Sequence, residues 1–379
     1  MAAAQSPTER PFDALRSLRV TTVFSEGFVD LYSVPKLTEA RLKRLLERFR
    51  TPDAVLKALP EELTAVEGIA PELAQAVTTY RRDKATDRRI QAAGEQRAFT
   101  LSWLDDAYPA PLKELSHSPP VLFVRGTLDP KDKLGVAVVG TRRPSHYGQQ
   151  VAERLARELA ESGVTVVSGL ARGIDTCAHK AALAAGGRTI AVLGSGIDVC
   201  YPPENRKLFD SIPEHGAVLS EFNLGTEPLA MNFPKRNRVV SGLSLVVVAV
   251  EAGEKSGVLN TCAWALDQGR PVYAVPGRVS DPTSIGTNRL LREGAKPLTS
   301  AADLLRDLGL VQRPAPAPEI KVSDDEKPVL DFLSSEPQHA DEICQGLGLP
   351  MSKLLGVLAQ MELRGLVRQL PGKYFVRAS

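Results

Sequence analysis

The sequence has few of the features that mark secreted, membrane or metal-binding proteins. Its four cysteines, Cys177, Cys200, Cys262 and Cys344, lie far apart, and no CxxC pair occurs. We therefore expect neither a disulfide framework nor a metal site, which fits a reducing compartment. No run approaches the roughly 20 apolar residues of a membrane span, and the first residues, MAAAQSPTERPF, contain no apolar signal segment. We expect a cytoplasmic protein without membrane contact.

An excess of charge of one sign is also missing. The 379 residues include 47 Lys and Arg and 45 Asp and Glu, a formal net charge of +2. Affinity for nucleic acid would therefore have to come from local clusters of cations rather than from the field of the whole protein. A content of 43% hydrophobic and 24% charged residues is that of an ordinary globular protein. The length favours two or three domains.

The first region, residues 1–100, is predicted to be helical. The stretch RLKRLLERF at 41–49 has leucines at helical spacing with basic residues between them. Residues 63–82 have the pattern of a helix-hairpin-helix, whose turn can aim backbone N–H groups at a DNA phosphate. Ala70 follows Gly68 and Ile69 where a second glycine is usual. We therefore favour a packing role for this unit over direct DNA contact.

The second region, residues 101–310, is predicted to be an α/β domain. From residue 134 to about 309, short β-branched runs alternate with amphipathic helical segments, and several of the runs end in glycine. This pattern predicts a parallel sheet covered by helices on both faces, a Rossmann-like doubly wound domain. A proline-rich leading segment, residues 101–133, contains a predicted strand that ends at Gly126.

The last two regions are a linker and a small helical module. Residues 311–322 are rich in proline and alanine, which predicts a semi-rigid extended linker. Residues 323–379 are predicted to form a winged helix, with three helices followed by a two-stranded wing around a Pro-Gly turn.

The loops that follow the predicted strands are rich in glycine, arginine and lysine. Open α/β sheets bind ligands outside the carboxyl ends of their strands. Glycine allows close approach of a phosphate, helix N-termini supply N–H donors, and arginine supplies a two-pronged donor. Several anion subsites on one rim suit a polyanion better than a single small phosphate. The candidate binding residues are Gly140, Thr141, Arg142, Ser168, Gly169, Arg172, Phe233, Lys235, Arg236, Asn237, Arg238, Lys255, Ser256 and Gly257.

The stretch NFPKRNR is the most informative of these segments. It places Lys235, Arg236 and Arg238 directly ahead of an apolar strand, which does not need three cations in order to be buried. We interpret the stretch as a loop at the ligand edge of the sheet that grips a DNA backbone. Phe233 beside these cations is interpreted as a stacking platform for an unpaired base rather than as a core residue. Asn237 either reads a base edge or holds the loop.

Enzymatic interpretations of the same loops are weaker. GSGIDV lacks the third glycine of a dinucleotide-binding fingerprint, and GEKSG lacks the upstream glycine of an ATP-binding loop. Asp175 is interpreted as a helix N-cap rather than as a catalytic carboxylate, and His179 as structural. Glu251 is either catalytic or a partner of neighbouring cations, and the sequence leaves both possibilities open. We expect no catalytic residue, metal or cofactor.

Several segments resemble the DprA/Smf family of DNA-processing proteins. They are VAVVGTRRPSHYG, VVSGLARGIDTCAHKAAL, GGRTIAVLGSGIDVCYPPENRKLF, NFPKRNRVVSGLS and VPGRVSDPTSIGTNRLLREGA, which together span about 130–300. The resemblance implies a bacterial recombination mediator of natural transformation that is not an enzyme. It implies binding and protection of single-stranded DNA and loading of RecA, with single-strand binding protein as a further partner. It also implies a homodimer formed through the Rossmann domain.

The resemblance places the family's Gly-Ser-Arg turn at Gly140-Thr141-Arg142. The family's N-terminal PGIG-type hairpin is replaced by Pro35-Lys36-Leu37-Thr38, which puts a DNA role of the first domain in doubt. The winged helix could bind duplex DNA or contact a protein. Two other functions stay open: a nucleotide-binding Rossmann enzyme like the phosphoribohydrolases, whose PGGxGT segment is absent here, and a duplex-binding regulator led by the winged helix.

Overall fold

The computed structural model describes most of the chain, in two compact units that divide after residue 311. The described residues are 24–310, 323, 325–334, 337–364, 366–370 and 372–377. The predicted linker, 311–322, therefore lies outside the described residues. Within the described ranges, no helix combines the length and the apolar character needed to cross a membrane.

The larger unit begins with a group of short helices, as predicted. They are α1 Glu26–Ser33, α2 Glu39–Phe49, α3 Pro52–Lys57, α4 Pro60–Thr64, α5 Pro71–Thr79 and α6 Lys84–Glu95. The helix α2 begins where the Thr38 hydroxyl accepts a hydrogen bond from the backbone N–H of Arg41. The helices α4 and α5 form the predicted helix-hairpin-helix, and Gly68 between them has a φ of +84°, a conformation that favours glycine.

A nine-stranded sheet follows, in the order β1-β2-β6-β5-β4-β3-β7-β8-β9. Its strands are β1 Phe99–Ser102, β2 Val121–Gly126, β3 Gly135–Val139, β4 Thr165–Ser168, β5 Thr189–Val192, β6 Ala217–Ser220, β7 Val246–Ala249, β8 Val272–Ala274 and β9 Lys296–Pro297. The strands from β6 to β9 run parallel, which confirms the Rossmann-like sheet.

The sheet differs from the expected parallel sheet at one edge. Strand β2 pairs antiparallel with β6, and β1 pairs antiparallel with β2. The segment 101–133 therefore does more than lead into the domain, because β2 lies in the sheet with its apolar side chains buried. Pairing with β2 covers β6, which would otherwise be an exposed edge.

Helices pack on both faces of the sheet. They are α7 Ala110–Lys113, α8 His146–Glu161, α9 Ile174–Ala184, α10 Arg206–His215, α11 Asn232–Gly242, α12 Gly257–Asp267, α13 Ile285–Arg292 and α14 Ala301–Asp307. Alternate residues of β3 belong to different core clusters, Ala137 and Val139 on one face and Val136 and Val138 on the other. From β3, the chain adds strands β4 to β6 on one side of the sheet and β7 to β9 on the other. The carboxyl ends of β3, β4 and β7 therefore border the crevice where such sheets bind ligands.

The smaller unit is a winged helix, as predicted. Its elements are α15 Glu326–Phe332, β10 Gln338–His339, α16 Ala340–Leu347, α17 Met351–Leu363, β11 Val367–Leu370 and β12 Tyr374–Arg377. Strand β12 pairs antiparallel with both β11 and the short β10, which was not predicted. In the wing turn Gly372 has a φ of +84°, whereas Pro371 lies outside the described residues.

Candidate nucleic-acid interface

An open groove of about 730 Å³ lies at the carboxyl ends of the central strands. It brings together ten of the predicted site residues: Gly140, Thr141, Arg142, Gly169, Phe233, Arg236, Asn237, Lys255, Ser256 and Gly257. A smaller adjoining pocket shares Arg142, Gly169 and Phe233 with the groove and adds Arg172. The predicted residues Ser168, Lys235 and Arg238 line neither.

The loop after β3 is held tightly against the end of β7. The backbone N–H of Thr141 donates to the carbonyl of Glu251 at 2.8 Å. The buried Glu251 carboxylate accepts from the backbone N–H of Ser145 at 2.9 Å and from the Ser145 hydroxyl. Gly140 packs so closely on Ile174 that a Cβ atom would lie 2.4 Å from that side chain. Glu251 therefore positions the loop that carries Arg142, and its partners are Ser145 and Thr283 rather than the neighbouring cations of the second interpretation.

Arg142 and Phe233 form the centre of the groove surface. The exposed Arg142 has its guanidinium carbon 5.2 Å from the centroid of the half-buried Phe233 ring. The ring lies over Gly194, where an added Cβ would be 2.8 Å from a ring carbon. Glycine at residue 194 therefore leaves room for the ring, part of which stays open to the groove.

Tyr201 is a second aromatic side chain of the site that the sequence analysis missed. Its ring centroid is 5.7 Å from that of Phe233, and the guanidinium carbon of Arg172 lies 6.0 Å from the Tyr201 centroid. The resulting aromatic pair has an arginine at each end. The sequence does contain a signal for it, because Tyr201 is an aromatic residue in CYPPENRKLF, shortly after β5. The sequence analysis used only the glycines of that loop.

The predicted NFPKRNR loop is in fact the start of helix α11. Its helical period turns Arg236 inward, so that only 4% of the residue is exposed. The guanidinium donates to the carbonyls of Gly169 and Val192 beneath the groove. Burial lowers the pKa of Arg236 to about 10, although nearby Asp175 favours the charged form. The loop prediction is wrong, and Arg236 braces the groove from below instead of facing solvent.

Asp175 has a different role from the predicted N-cap. It lies inside the first turn of α9, whose N-cap is Gly173. Its carboxylate accepts hydrogen bonds from the backbone N–H groups of Gly169 at 3.1 Å and Ala171 at 3.3 Å. Burial raises the pKa of Asp175, and the neighbouring Arg236 opposes this. The two buried charges together hold the loop after β4 in shape.

Two other predicted DNA-binding residues, Ser168 and Arg238, are also buried, and their side chains bond to other parts of the protein. The Ser168 hydroxyl donates to the carbonyl of Val138 at 2.7 Å. Arg238 forms ion pairs with buried Glu221 and, at 3.1 Å, with Glu39 of α2. Arg238 therefore joins α11 to the N-terminal helices. Lys235 is exposed but lies outside the lining of the groove.

The far wall of the groove is the start of α12. Ser256 is its N-cap and accepts from the backbone N–H of Val258 at 3.3 Å. Lys255 is exposed beside it, so a lysine and the positive end of a helix dipole lie together. The amide of Asn237 donates to Asn260 Oδ1 at 3.2 Å, which indicates that Asn237 holds α11 against α12.

The exposed cations of this surface differ in their partners. Arg172 forms an ion pair with Glu204, in which Nη2 lies 3.1 Å from Oε2. In the part of the chain that the structure describes, Arg142 and Lys255 form no ion pair with a carboxylate. The groove therefore offers free cations, a helix N-terminus and an aromatic surface, a combination that suits an anionic ligand with ring systems.

Comparison with known proteins places the chain in a family. The family model described as DNA recombination-mediator protein A matches residues 99–309. The chain belongs to this family. A model described as a DprA winged helix domain matches residues 313–373, and a model of a SAM-like helix-hairpin-helix tandem matches residues 28–82. The DprA/Smf resemblance is thereby confirmed, including its flanking modules.

Individual members of the family agree with this assignment. Protein Smf of Synechocystis is 32% identical over 375 residues, which cover 89% of this chain and 94% of the relative. The X-ray structure of DNA processing protein A from Streptococcus pneumoniae is 37% identical, with a TM-score of 0.64, and covers 75% of this chain and 98% of its own. The Helicobacter pylori DNA processing protein A is described as having a unique single-stranded DNA binding mode. It is 34% identical, with a TM-score of 0.50, over 56% of this chain and 95% of its own.

Proposed function

We propose that this member of the DprA family binds single-stranded DNA in the groove at the carboxyl ends of its central strands. The observation that carries the proposal is the half-open aromatic pair, Phe233 and Tyr201, between Arg142 and Arg172. Cations attract the phosphates of any nucleic acid, whereas aromatic faces stack only on bases that are not enclosed in a duplex. The combination favours a single strand over a duplex.

All of the predicted site residues except Lys235, which lines neither the groove nor its pocket, then either face the DNA or support residues that do. Arg142, Lys255 and the N-terminus of α12 contact phosphates, with Thr141, Ser256 and the glycines shaping their approach. Phe233 stacks on a base, and Arg172 lies beside the adjoining pocket. Arg236, Arg238, Ser168 and Asn237 position these groups from within the fold. The single-stranded DNA binding described for the Helicobacter pylori relative supports this proposal.

The biological role follows from the family. We infer that the chain acts as a recombination mediator that protects incoming single strands and loads RecA onto them in natural transformation, as a cytoplasmic homodimer and without catalysis. Asp175, which lines the groove, and Glu251, which holds the loop after β3, are both buried and accept hydrogen bonds from backbone N–H groups, which suits structural roles. Faster RecA assembly on strands coated with single-strand binding protein would support this role, and an unchanged rate would contradict it.

The binding site is tested by fluorescence anisotropy of labelled oligo-dT in a salt series, with excess unlabelled duplex present. Arg142→Gln should reduce the slope of log K against log salt by about 0.7, the value for one lost phosphate contact. Phe233→Ala should weaken binding by about 1–3 kcal/mol and leave the slope unchanged, because stacking releases no counterions. If duplex competes as well as single strand, the groove is not a single-strand site.

A further inference from the structure

A second group of exposed cations lies on helix α6 and the residues ahead of it. We call it the α6 basic face: Arg81, Lys84, Arg88 and Arg89, all of them exposed. Neighbouring Arg82 is already neutralised by Glu26 and Asp30. In the ranges that the structure describes, the four residues of the α6 basic face form no such ion pair.

The N-terminus of α6 carries stabilising acidic residues as well as cations, because Asp83 is its N-cap and Asp87 lies in its first turn. Lys84 is the first residue of α6 and Arg88 follows one turn later. Cations are unfavourable at the positive end of a helix dipole, and like charges four residues apart repel each other. At the other end, the acidic Glu95 is the last residue of the helix, where a cation would be preferred. Lys84 and Arg88 are thus not placed where cations stabilise a helix, so their charges are available to an anionic ligand.

The helix α6 lies at the same edge of the sheet as the groove. Its buried residues Ile90 and Ala93 belong to a core cluster with Leu193 and Ile197. These two residues flank the loop after β5, whose Gly194 lines the pocket beside Phe233 and Tyr201. The α6 basic face is therefore carried on a helix that shares a core cluster with the residues flanking the loop at the aromatic end of the site.

A short segment joins the α6 basic face to the wall of the groove. Arg89 packs against Gly225, where an added Cβ would lie 2.4 Å from its guanidinium carbon. Pro228 and Ala230, a few residues further along the chain, line the groove. Three residues span at most about 11 Å, so no large gap separates Arg89 from that wall. The α6 basic face is therefore a second cationic cluster close to the groove, and the exposed Glu227 lies on the segment between them.

We propose that the α6 basic face binds the sugar-phosphate backbone of the same single strand where it leaves the groove, and so extends the site beyond the Rossmann loops. The proposal rests on the proposed function, because the strand must first occupy the groove. It assigns a single-stranded DNA contact to the N-terminal helical region through α6 and not through its helix-hairpin-helix turn. The contact is made with phosphates and carries no base preference.

The test uses the full chain and two lengths of oligo-dT, one of about 8 nucleotides, within the range that a single binding unit covers, and one several times longer. We expect Lys84→Gln combined with Arg88→Gln to bind the short oligomer as the wild type does. Binding of the long oligomer should weaken about 25-fold at 0.1 M salt, with a salt slope smaller by about 1.4, because two phosphate contacts are lost. Unchanged binding of the short oligomer also shows that the variant is folded.

A matched control removes two cations from the opposite edge of the sheet. Lys131 and Lys133 are exposed just ahead of β3, and Lys131→Gln combined with Lys133→Gln should bind both oligomers as the wild type does. The inference is overturned if the α6 variant binds the long oligomer normally, if it loses affinity equally for both lengths, or if it loses only duplex binding. Failure of the wild type to bind the short oligomer would instead refute the proposed function.

Discussion

The two arginines of the groove, Arg142 and Arg236, should respond in opposite ways to the same substitution. Arg236→Met removes the guanidinium that donates hydrogen bonds to the Gly169 and Val192 carbonyls, and with it the cation near buried Asp175. A hydrogen bond to a charged group contributes about 1.5–3 kcal/mol, and breaking up a buried charged group costs about 3–5 kcal/mol. We therefore expect Arg236→Met to lower the free energy of unfolding by about 3–5 kcal/mol.

The matched variant is Arg142→Met, which removes the same charge from the surface. A substitution at such a site changes stability by at most about 0.5 kcal/mol, yet it should weaken binding of single-stranded DNA and lower the salt slope. Calorimetry of the full chain separates the two cases. The transition of the larger unit should fall by on the order of 10 °C for Arg236→Met and stay in place for Arg142→Met.

A surface role for Arg236 would give a different result. Arg236→Met would then melt at the same temperature as the wild type, and its DNA binding would lose salt dependence as that of Arg142→Met does. This result would mean that the Arg236 guanidinium contacts phosphate, and it would refute the structural role beneath the groove. If Arg236→Met does not fold, Arg236→Lys provides the same test, because lysine keeps the charge but cannot serve two carbonyls in the same planar geometry. We expect Arg236→Lys to fold, but to melt at a lower temperature than the wild type.

Three further predictions concern the surroundings of the groove. Glu204→Gln should free Arg172 for phosphate, so that anisotropy shows tighter binding and a salt slope larger by about 0.7; weaker binding would mean that Glu204 instead orients Arg172 on Tyr201. Gly194→Ala should displace the Phe233 ring and weaken binding without changing the salt slope, and an unchanged affinity would contradict the stacking role. Burial lowers the pKa of His179 to about 3, so the stability that this residue contributes should be lost as the pH falls from about 6.5 through 3. Thermal melts of His179→Gln should show a smaller loss over that range, and parallel curves for the two proteins would contradict this assignment.

The elements of the fold were largely predictable because their signals are local. Alternating apolar and amphipathic segments identified the parallel strands and their helices, and the leucines of 41–49 identified α2. The glycines and cations after the strands identified the edge where the groove lies, because parallel strands present their carboxyl ends together. The antiparallel addition of β1 and β2 was not predicted, since short apolar segments do not reveal the direction in which they pair.

The sequence by itself determined the family, the parallel part of the sheet and most of the residues near the ligand edge, since these depend on residue type and spacing along the chain. Only the tertiary structure decided which of those residues face solvent. Arg142 and Arg236 are chemically the same, but one ends on a surface loop and the other lies on the inner side of a helix over two buried carbonyls. Tyr201 joined Phe233 only when the loop after β5 met α11. Burial and contact between distant segments depend on packing, which residue spacing along the chain does not specify.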